Sequence, residues 1–402
     1  MTAATVARGR LDLSGVSRET WLGSGGVALG ILAWWIALPP LLIRSPIPSL
    51  VLALVAIGLG MLTVREGSKR LGWGAVFAGL IGGVGAVAST QSSTANLEDV
   101  VVWSALAAAM LRYATPLVFG ALGGVISERA GVVNIGLEGM MLMGAFFGIY
   151  GADILGGWFP GLLLGMAAGG ALALVHAVFA ISLRADQIVS GFAVNFLALG
   201  ITGYVFLHHY GEEGTPDGIS EVPDVTLPID WIPFFGPALE NLNLLVWVAL
   251  ILVGAMSVFL FRTPTGLRVR SVGENPRAAA TVGISVYWVR YLAVVASGML
   301  AALGGAFLSI GFVHSFTQSM TAGRGFIALA VVIVGKWRPG AALLAALLFG
   351  FTQALAQRLP TFSESSATLL QALPYVVTLI AVAGLVGRSI PPAADGVPYS
   401  KE

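Results

Sequence analysis

The sequence predicts an all-α polytopic membrane protein of roughly 10–12 transmembrane helices, with broken or re-entrant segments and a weak internal repeat. Two observations carry this. Of 402 residues, 57% are hydrophobic and 10% are charged, whereas a soluble domain carries about 25% charge. The charges are also clumped, and the gaps between clumps reach the roughly 20 apolar residues that a membrane helix needs. The mean hydropathy of +0.88 agrees. A net charge of +1 gives no basic or acidic excess to suggest nucleic acid. With no cysteine, disulfides, thiolate metal sites and cysteine nucleophiles are excluded.

The runs follow in order. Arg8, Arg10 and Arg18 precede an apolar run at 22–43 that ends near Pro39-Pro40. No small-residue cleavage site follows, so this reads as a retained signal anchor. Further runs lie at 46–64 and 71–89, separated by the charged turn 65–70. The polar stretch 90–99 leads into 100–127, where Pro116 with Gly120, Gly123 and Gly124 predicts a kinked or broken helix. Runs at 132–151, 158–183 and 188–207 precede a polar loop, 208–240. Then come 242–261, a basic loop 262–290, and runs at 291–312, 325–335, 340–358 and 367–387. The run 325–335 is too short to span and reads as re-entrant. Spaced glycines (Gly79/Gly83, Gly120/Gly124, Gly165/Gly169) predict close helix packing. The repeat is seen in 131–148 and 323–340, which each begin with a glycine in a polar turn and re-enter an apolar run.

Lys and Arg orient the chain, because short cytoplasmic loops hold their excess. With the N-terminus inside, the inner segments collect Arg8, Arg10, Arg18, Arg65, Lys69, Arg70, Arg129, Arg184, Arg262, Arg268, Arg270, Arg277, Arg290, Lys336, Arg338, Arg388 and Lys401. Arg44, Arg112, Arg324 and Arg358 fall outside. The loop 208–240 is outside, has no Lys or Arg, and is acidic. Both termini come out cytoplasmic.

Candidate chemistry starts with intramembrane charge. Glu138 lies in VVNIGLEGMMLMG, and a charge at the bilayer centre costs about 2.5–3.5 kcal/mol. Asn134 stands four residues earlier, which on a helix is the same face. Glu138 is either the polar wall of a translocation path or a structural carboxylate that accepts backbone N–H bonds at a nearby helix start. Asp186 reads as a helix cap, while Gln187 and Asn195 can hydrogen-bond a solute or a neighbouring helix. His208-His209 lacks a third ligand nearby for zinc, and His314 belongs to an outer polar cluster. In 262–290, Asn275-Pro276 predicts the start of a short helix over 277–282. That helix is either a docking surface or part of a basic membrane-surface loop. A phosphate cradle is missing: around Gly335-Lys336-Trp337, Ala330 stands where its first glycine belongs.

SERAGVVNIGLEGMMLMGAFFG (127–148) resembles the signature of permease subunits of ABC importers for simple sugars and nucleosides, most like bacterial guanosine-type permeases. ADQIVSGFAVNFLALG (185–200), TPTGLRVRSVGENPRAAATVGI (263–284) and GRGFIALAVVIVGKW (323–337) match in the family's order. The resemblance covers 100–387, with accessory spans in 1–99 and a tail over 388–402. It implies a type II-like importer permease in the bacterial cytoplasmic membrane, with no catalytic residues, cofactor or metal of its own. The expected partners are a second, related permease, an ATPase subunit that holds ATP and Mg, and an extracytoplasmic substrate-binding lipoprotein. Nucleosides would pass by alternating access along Asn134, Glu138, Gln187, Ser190, Asn195, Arg324 and Phe326. The ATPase would couple through Glu274, Asn275, Pro276, Arg277, Ala278, Ala279 and Gly283. The alternatives are a ribose-like sugar permease, an ion-coupled carrier titrating Glu138, and a membrane enzyme using Glu138 as acid or base.

Overall fold

The computed structural model describes residues 18–37, 41, 43, 45–90, 102–229, 231–232, 235–358 and 389–400. The expected run 367–387, the stretch 91–99 and the charges Arg8, Arg10, Arg44, Arg388 and Lys401 lie outside the described residues. The described residues divide into two compact units, one within 18–90 and the other within 102–357 and 389–400.

The first unit holds α1 (Arg18–Trp35), α2 (Pro46–Arg65) and α3 (Lys69–Thr90). Ser45 caps α2 by accepting from the Ile47 N–H, with Pro46 in the first turn, where its missing N–H costs nothing. Glycines let the three helices touch backbone to backbone. A Cβ at Gly30 would collide with the Ala78–Gly79 backbone, and one at Gly79 with the Ala53 carbonyl. Trp34 Nε1 donates to Ser89 Oγ at 3.1 Å across this packing.

The second unit begins with α4 (Trp103–Arg129), α5 (Leu137–Ile154), α6 (Trp158–Ala177) and α7 (Gln187–Tyr210). After a loop come β1 (Asp224–Thr226), α8 (Phe235–Leu239) and β2 (Asn241–Asn243). The remaining helices are α9 (Leu244–Arg262), α10 (Pro264–Glu274), α11 (Pro276–Thr281), α12 (Val286–Ala306), α13 (Arg324–Val334) and α14 (Pro339–Arg358). Helices α6 and α12 continue as π-helical turns, Val178–Ser182 and Phe307–Val313. β1, in the acidic loop, and β2, just after it, pair antiparallel through three residues each. Among the described residues, eight helices are long and apolar enough to cross a membrane, and α13 is a shorter apolar one. The chain is an integral membrane protein.

The structure corrects several expectations. Of the two forms expected for the Pro116 run, the break does not occur: α4 is one continuous helix of 27 residues. Thr115 Oγ1 donates to the Leu111 carbonyl at 2.8 Å, and Gly304 of α12 packs on the Pro116 carbonyl. Both contacts pack the helix closely around the proline. Asn134 and Glu138 do not share a helix face. Residues 131–136 are non-helical, so Asn134 sits in a loop and Glu138 in the first turn of α5. The basic loop 262–290 is mostly helical, since α10 precedes the expected short helix. Arg290, expected in that loop, lies inside α12 and is 1% exposed.

The two broken segments pack on each other's long helices. α5 lies on α12, where Gly144 meets the Ala302 backbone and Gly305 meets the Met141 carbonyl. α13 lies on α4, where Gly120 faces the Ala328 methyl and Gly124 faces Val332. The loop 131–136 enters from the end carrying Arg129, α10 and α11, here called the basic end. The turn 314–323 enters from the opposite, acidic end, where His314 Nδ1 lies 3.1 Å from Glu221. The starts of α5 and α13 therefore meet inside the unit.

Candidate functional site at the meeting of two broken helices

Glu138 is the centre of this meeting. Its Oε1 accepts from Thr321 Oγ1 at 2.6 Å and from the Gly323 N–H at 2.8 Å. Its Oε2 accepts from the Gly325 N–H at 2.6 Å. The carboxylate thus caps α13, where the helix dipole favours negative charge. A hydrogen bond to a charged group contributes about 1.5–3 kcal/mol. Three of them outweigh the roughly 3 kcal/mol cost of an intramembrane charge. Gly325 makes the contact possible, because any Cβ there would overlap the Glu138 backbone.

The loop before α5 is fastened by side chains from three other helices. Gln187 Oε1 accepts from the Val133 N–H at 2.8 Å. His176 Nε2 bonds the Val133 carbonyl at 3.2 Å, and its Nδ1 meets Ser190 Oγ at 3.1 Å. A carbonyl only accepts, so Nε2 carries a hydrogen and a neutral ring accepts from Ser190. Asn134 Nδ2 donates to Ser297 Oγ at 2.9 Å. Asn195 Oδ1 accepts from the Gly139 N–H at 2.7 Å, and its Nδ2 donates to the Ile135 carbonyl at 3.0 Å. Non-helical backbone at membrane depth needs such partners for its polar groups.

The seven residues expected along a path therefore separate into two sets. Asn134, Gln187 and Ser190 are buried and hold the loop. Glu138, Asn195 and Arg324 are half-buried, and Phe326 is 40% exposed. Phe326 also meets Phe192, ring centroids 6.0 Å apart, which joins α13 to α7. This second set forms one surface across α5, α7 and α13. Arg324 Nη1 donates to the Met320 and Thr321 carbonyls, both at 3.1 Å, and stabilises the same turn.

At the basic end, Thr263 caps α10 by accepting from the Gly266 N–H at 3.1 Å. Asn275, extended at φ −148°, ends α10 and caps α11 through the Ala278 N–H at 3.0 Å. Glu274, Asn275, Arg277, Ala278 and Gly283 are exposed, and Pro276 is half-buried. Ala279 faces inward, packed with Val272, Val286 and Tyr399. It anchors the helix pair and does not present a surface.

Sequence reasoning missed His176, Ser297 and Thr321 as fasteners. It also missed a buried group at the basic end. Glu128 is 5% exposed and accepts from Trp337 Nε1. Arg290 Nε donates to the Ala130 carbonyl at 3.2 Å, and its Nη1 to the Val397 carbonyl at 2.9 Å. Asp395 faces Glu128 and Arg290. Burial pushes its carboxyl up to about 7, against the pull of the Gly396 N–H and Arg290. The acidic Glu128 beside Arg129 at the head of a signature block was the available signal.

The model of the branched-chain amino acid transport system / permease component family matches residues 106–382. The guanosine ABC transporter permease protein NupQ of Bacillus subtilis is 44% identical over 76% of this chain and 99% of its own length. The nucleoside ABC transporter permease protein NupC of Lactococcus lactis is 41% identical over 74% of this chain and 96% of its own. A putative glucose ABC transporter permease of Haloferax volcanii, TsgC13, is 39% identical over 63% of this chain and 78% of its own. The same Bacillus and Lactococcus strains hold more distant relatives: NupP is 24% identical over 86% of this chain and 94% of its own, and NupB is 26% identical over 69% and 80%. No solved structure matches this chain.

Proposed function

Because the chain belongs to the family of branched-chain amino acid transport system permease components, we propose that it is the membrane-spanning permease of an ATP-driven importer of nucleosides. The observation that carries the reading is the 44% identity to a guanosine permease along 99% of that protein's length. The exposed helix pair α10–α11 is the docking surface for a separate ATPase subunit, which holds ATP and Mg. The excess of Lys and Arg at that end makes it cytoplasmic, in a bacterial cytoplasmic membrane. The acidic end then faces outward and receives nucleoside from an extracytoplasmic binding lipoprotein.

The half-exposed surface of Glu138, Asn195, Arg324 and Phe326 is the substrate path. Lipid is a poor solvent for a carboxylate and an amide, so a second permease covers this surface. Each of the two bacteria named above holds one closer and one more distant nucleoside permease relative, which supports a partner that is related but different. ATP binding moves α10–α11 and opens the pair outward; hydrolysis returns it. A carrier titrating Glu138 fits the geometry poorly, because both carboxylate oxygens are engaged by donors. A simple-sugar permease is the second reading, favoured by the glucose-type relative.

The test is reconstitution of the chain with its second permease and binding protein, with and without the ATPase, measuring uptake of labelled nucleosides and pentoses. ATPase-dependent uptake of nucleosides is expected. Uptake of pentoses alone selects the sugar reading, and uptake without the ATPase rejects the importer.

A further inference from the structure

We infer that residues 389–400 are a strap that carries movement of the ATPase-docking helices to the inner end of the transport core. The inference rests on the docking role given above to α10–α11.

The segment crosses the basic end and binds each structural part there in turn. Ser389 Oγ donates to the Ile333 carbonyl at the end of α13, at 2.6 Å. The Ala393 N–H donates to Glu274 Oε2 at 3.3 Å, and the Ala394 N–H to the Gly273 carbonyl at 2.8 Å, both at the end of α10. Further on, the Val397 carbonyl accepts from Arg290 of α12 at 2.9 Å. The Tyr399 ring packs on Tyr287 with centroids 5.5 Å apart. Gly396, at φ 75°, turns the segment over the Val133 side chain of the fastened loop. Ala394 and Tyr399 are buried at 7% and 8% exposure, so the segment is part of the packed structure.

Arg290 makes the connection specific. Its guanidinium holds the strap through Val397 and the start of the 131–136 loop through Ala130. The covalent connection from α11 to α12 is one route for force, through residues 282–285. The strap is a second: it joins the end of α10 to Arg290 and, through Arg290, to the loop that leads to Glu138, beside the direct packing of Gly273 on the Arg129–Gly131 backbone. Its residues are positioning residues for transport and do not meet substrate.

The experiment uses the full reconstituted complex and reads nucleoside imported per ATP hydrolysed. Two variants unseat the strap: removal of residues 389–402, and Gly396→Val, whose β-branched side chain resists the left-handed backbone. Should the shortened chain fail to fold, Gly396→Val supplies the answer. The expected result is a fall in transport per ATP of at least about fivefold with the ATPase still copurifying. Arg290→Met is expected to fall likewise, and Arg290→Lys, which keeps one charged donor, to recover part of the loss. An unchanged ratio in a folded strap variant overturns the inference and leaves the importer reading intact. Failure of the ATPase to copurify with the full-length chain overturns the docking reading and the strap with it.

Discussion

The two broken segments are held in opposite ways. The loop 131–136 is fastened by Gln187, His176, Asn134 and Asn195, which reach α6, α7 and α12. The turn 314–323 takes its hydrogen bonds from α5 through one side chain, Glu138, while its outer part is held by Phe316 packed on Phe146 and Phe206 and by the His314–Glu221 pair. It also contains non-glycine residues in the left-handed region, His314, Ser319 and Ala322, each an unfavourable conformation. A segment hydrogen-bonded from three helices resists displacement, whereas the inner part of the turn, 321–323, rests on one carboxylate and shifts when that contact is exchanged. The difference assigns the fixed wall to the first segment and the moving part to the second.

Gly325→Val should break the comparison most severely. The new side chain has no room against the Glu138 backbone, so α13 must leave its seat and uptake should be abolished, with thermal stability of the purified complex lowered. Glu138→Gln turns an N–H pair toward donors now satisfied by an oxygen. Leaving a buried donor unpaired costs about 1–3 kcal/mol. Uptake should fall about tenfold or more, and the turn 314–323 should become more protease-sensitive while 131–136 does not. Gln187→Ala removes the bond to the Val133 N–H and leaves that donor unpaired, a loss of about 1–3 kcal/mol. The remaining fasteners should keep the loop in place, so thermal stability should drop more than uptake. If Gln187→Ala damages uptake as much as Glu138→Gln, the contrast between the segments is wrong.

Smaller effects are expected at the basic end. Asn275→Ala removes the α11 cap, which contributes about 1 kcal/mol. It should weaken ATPase copurification by several fold and leave protein stability nearly unchanged. Asp395 gives a pH dependence. Its carboxyl is raised to about 7 by burial, so the protonated form favours the seated strap. That contribution is full below the ordinary aspartate range and is lost as pH rises to about 7. Proteolysis within 389–400 should quicken between about pH 4 and about pH 7, the two limits just named, and Asp395→Asn should flatten the change.

Much of this was legible in the sequence because lipid imposes simple rules. Apolar runs, clumped charge and the Asn275-Pro276 signal placed the helices and the short α11. Glu138 stood out because a charge is rare in such surroundings, and capping of a nearby helix was one of its two readings. The partners of Glu138 were not legible, since Thr321, Gly323 and Gly325 lie more than 180 residues away. Asn134 misled because spacing of four implies a shared face only where the backbone is helical. Here distant side chains hold it in a loop. Helix α10 was hidden by Arg268 and Arg270, which read as a loop obeying the charge rule. Arg290 looked like one more loop cation, since no local pattern shows that the Ala130 and Val397 carbonyls converge on it.

The contrast between the two segments is tested most directly by labelling, since this chain has no cysteine of its own. Single cysteines at Ala322 and at Val133 would be reacted with a soluble maleimide in the reconstituted complex, before and after trapping with ATP. The account predicts a severalfold change in rate at Ala322 and little change at Val133. A change at Val133 equal to or larger than that at Ala322 would contradict it.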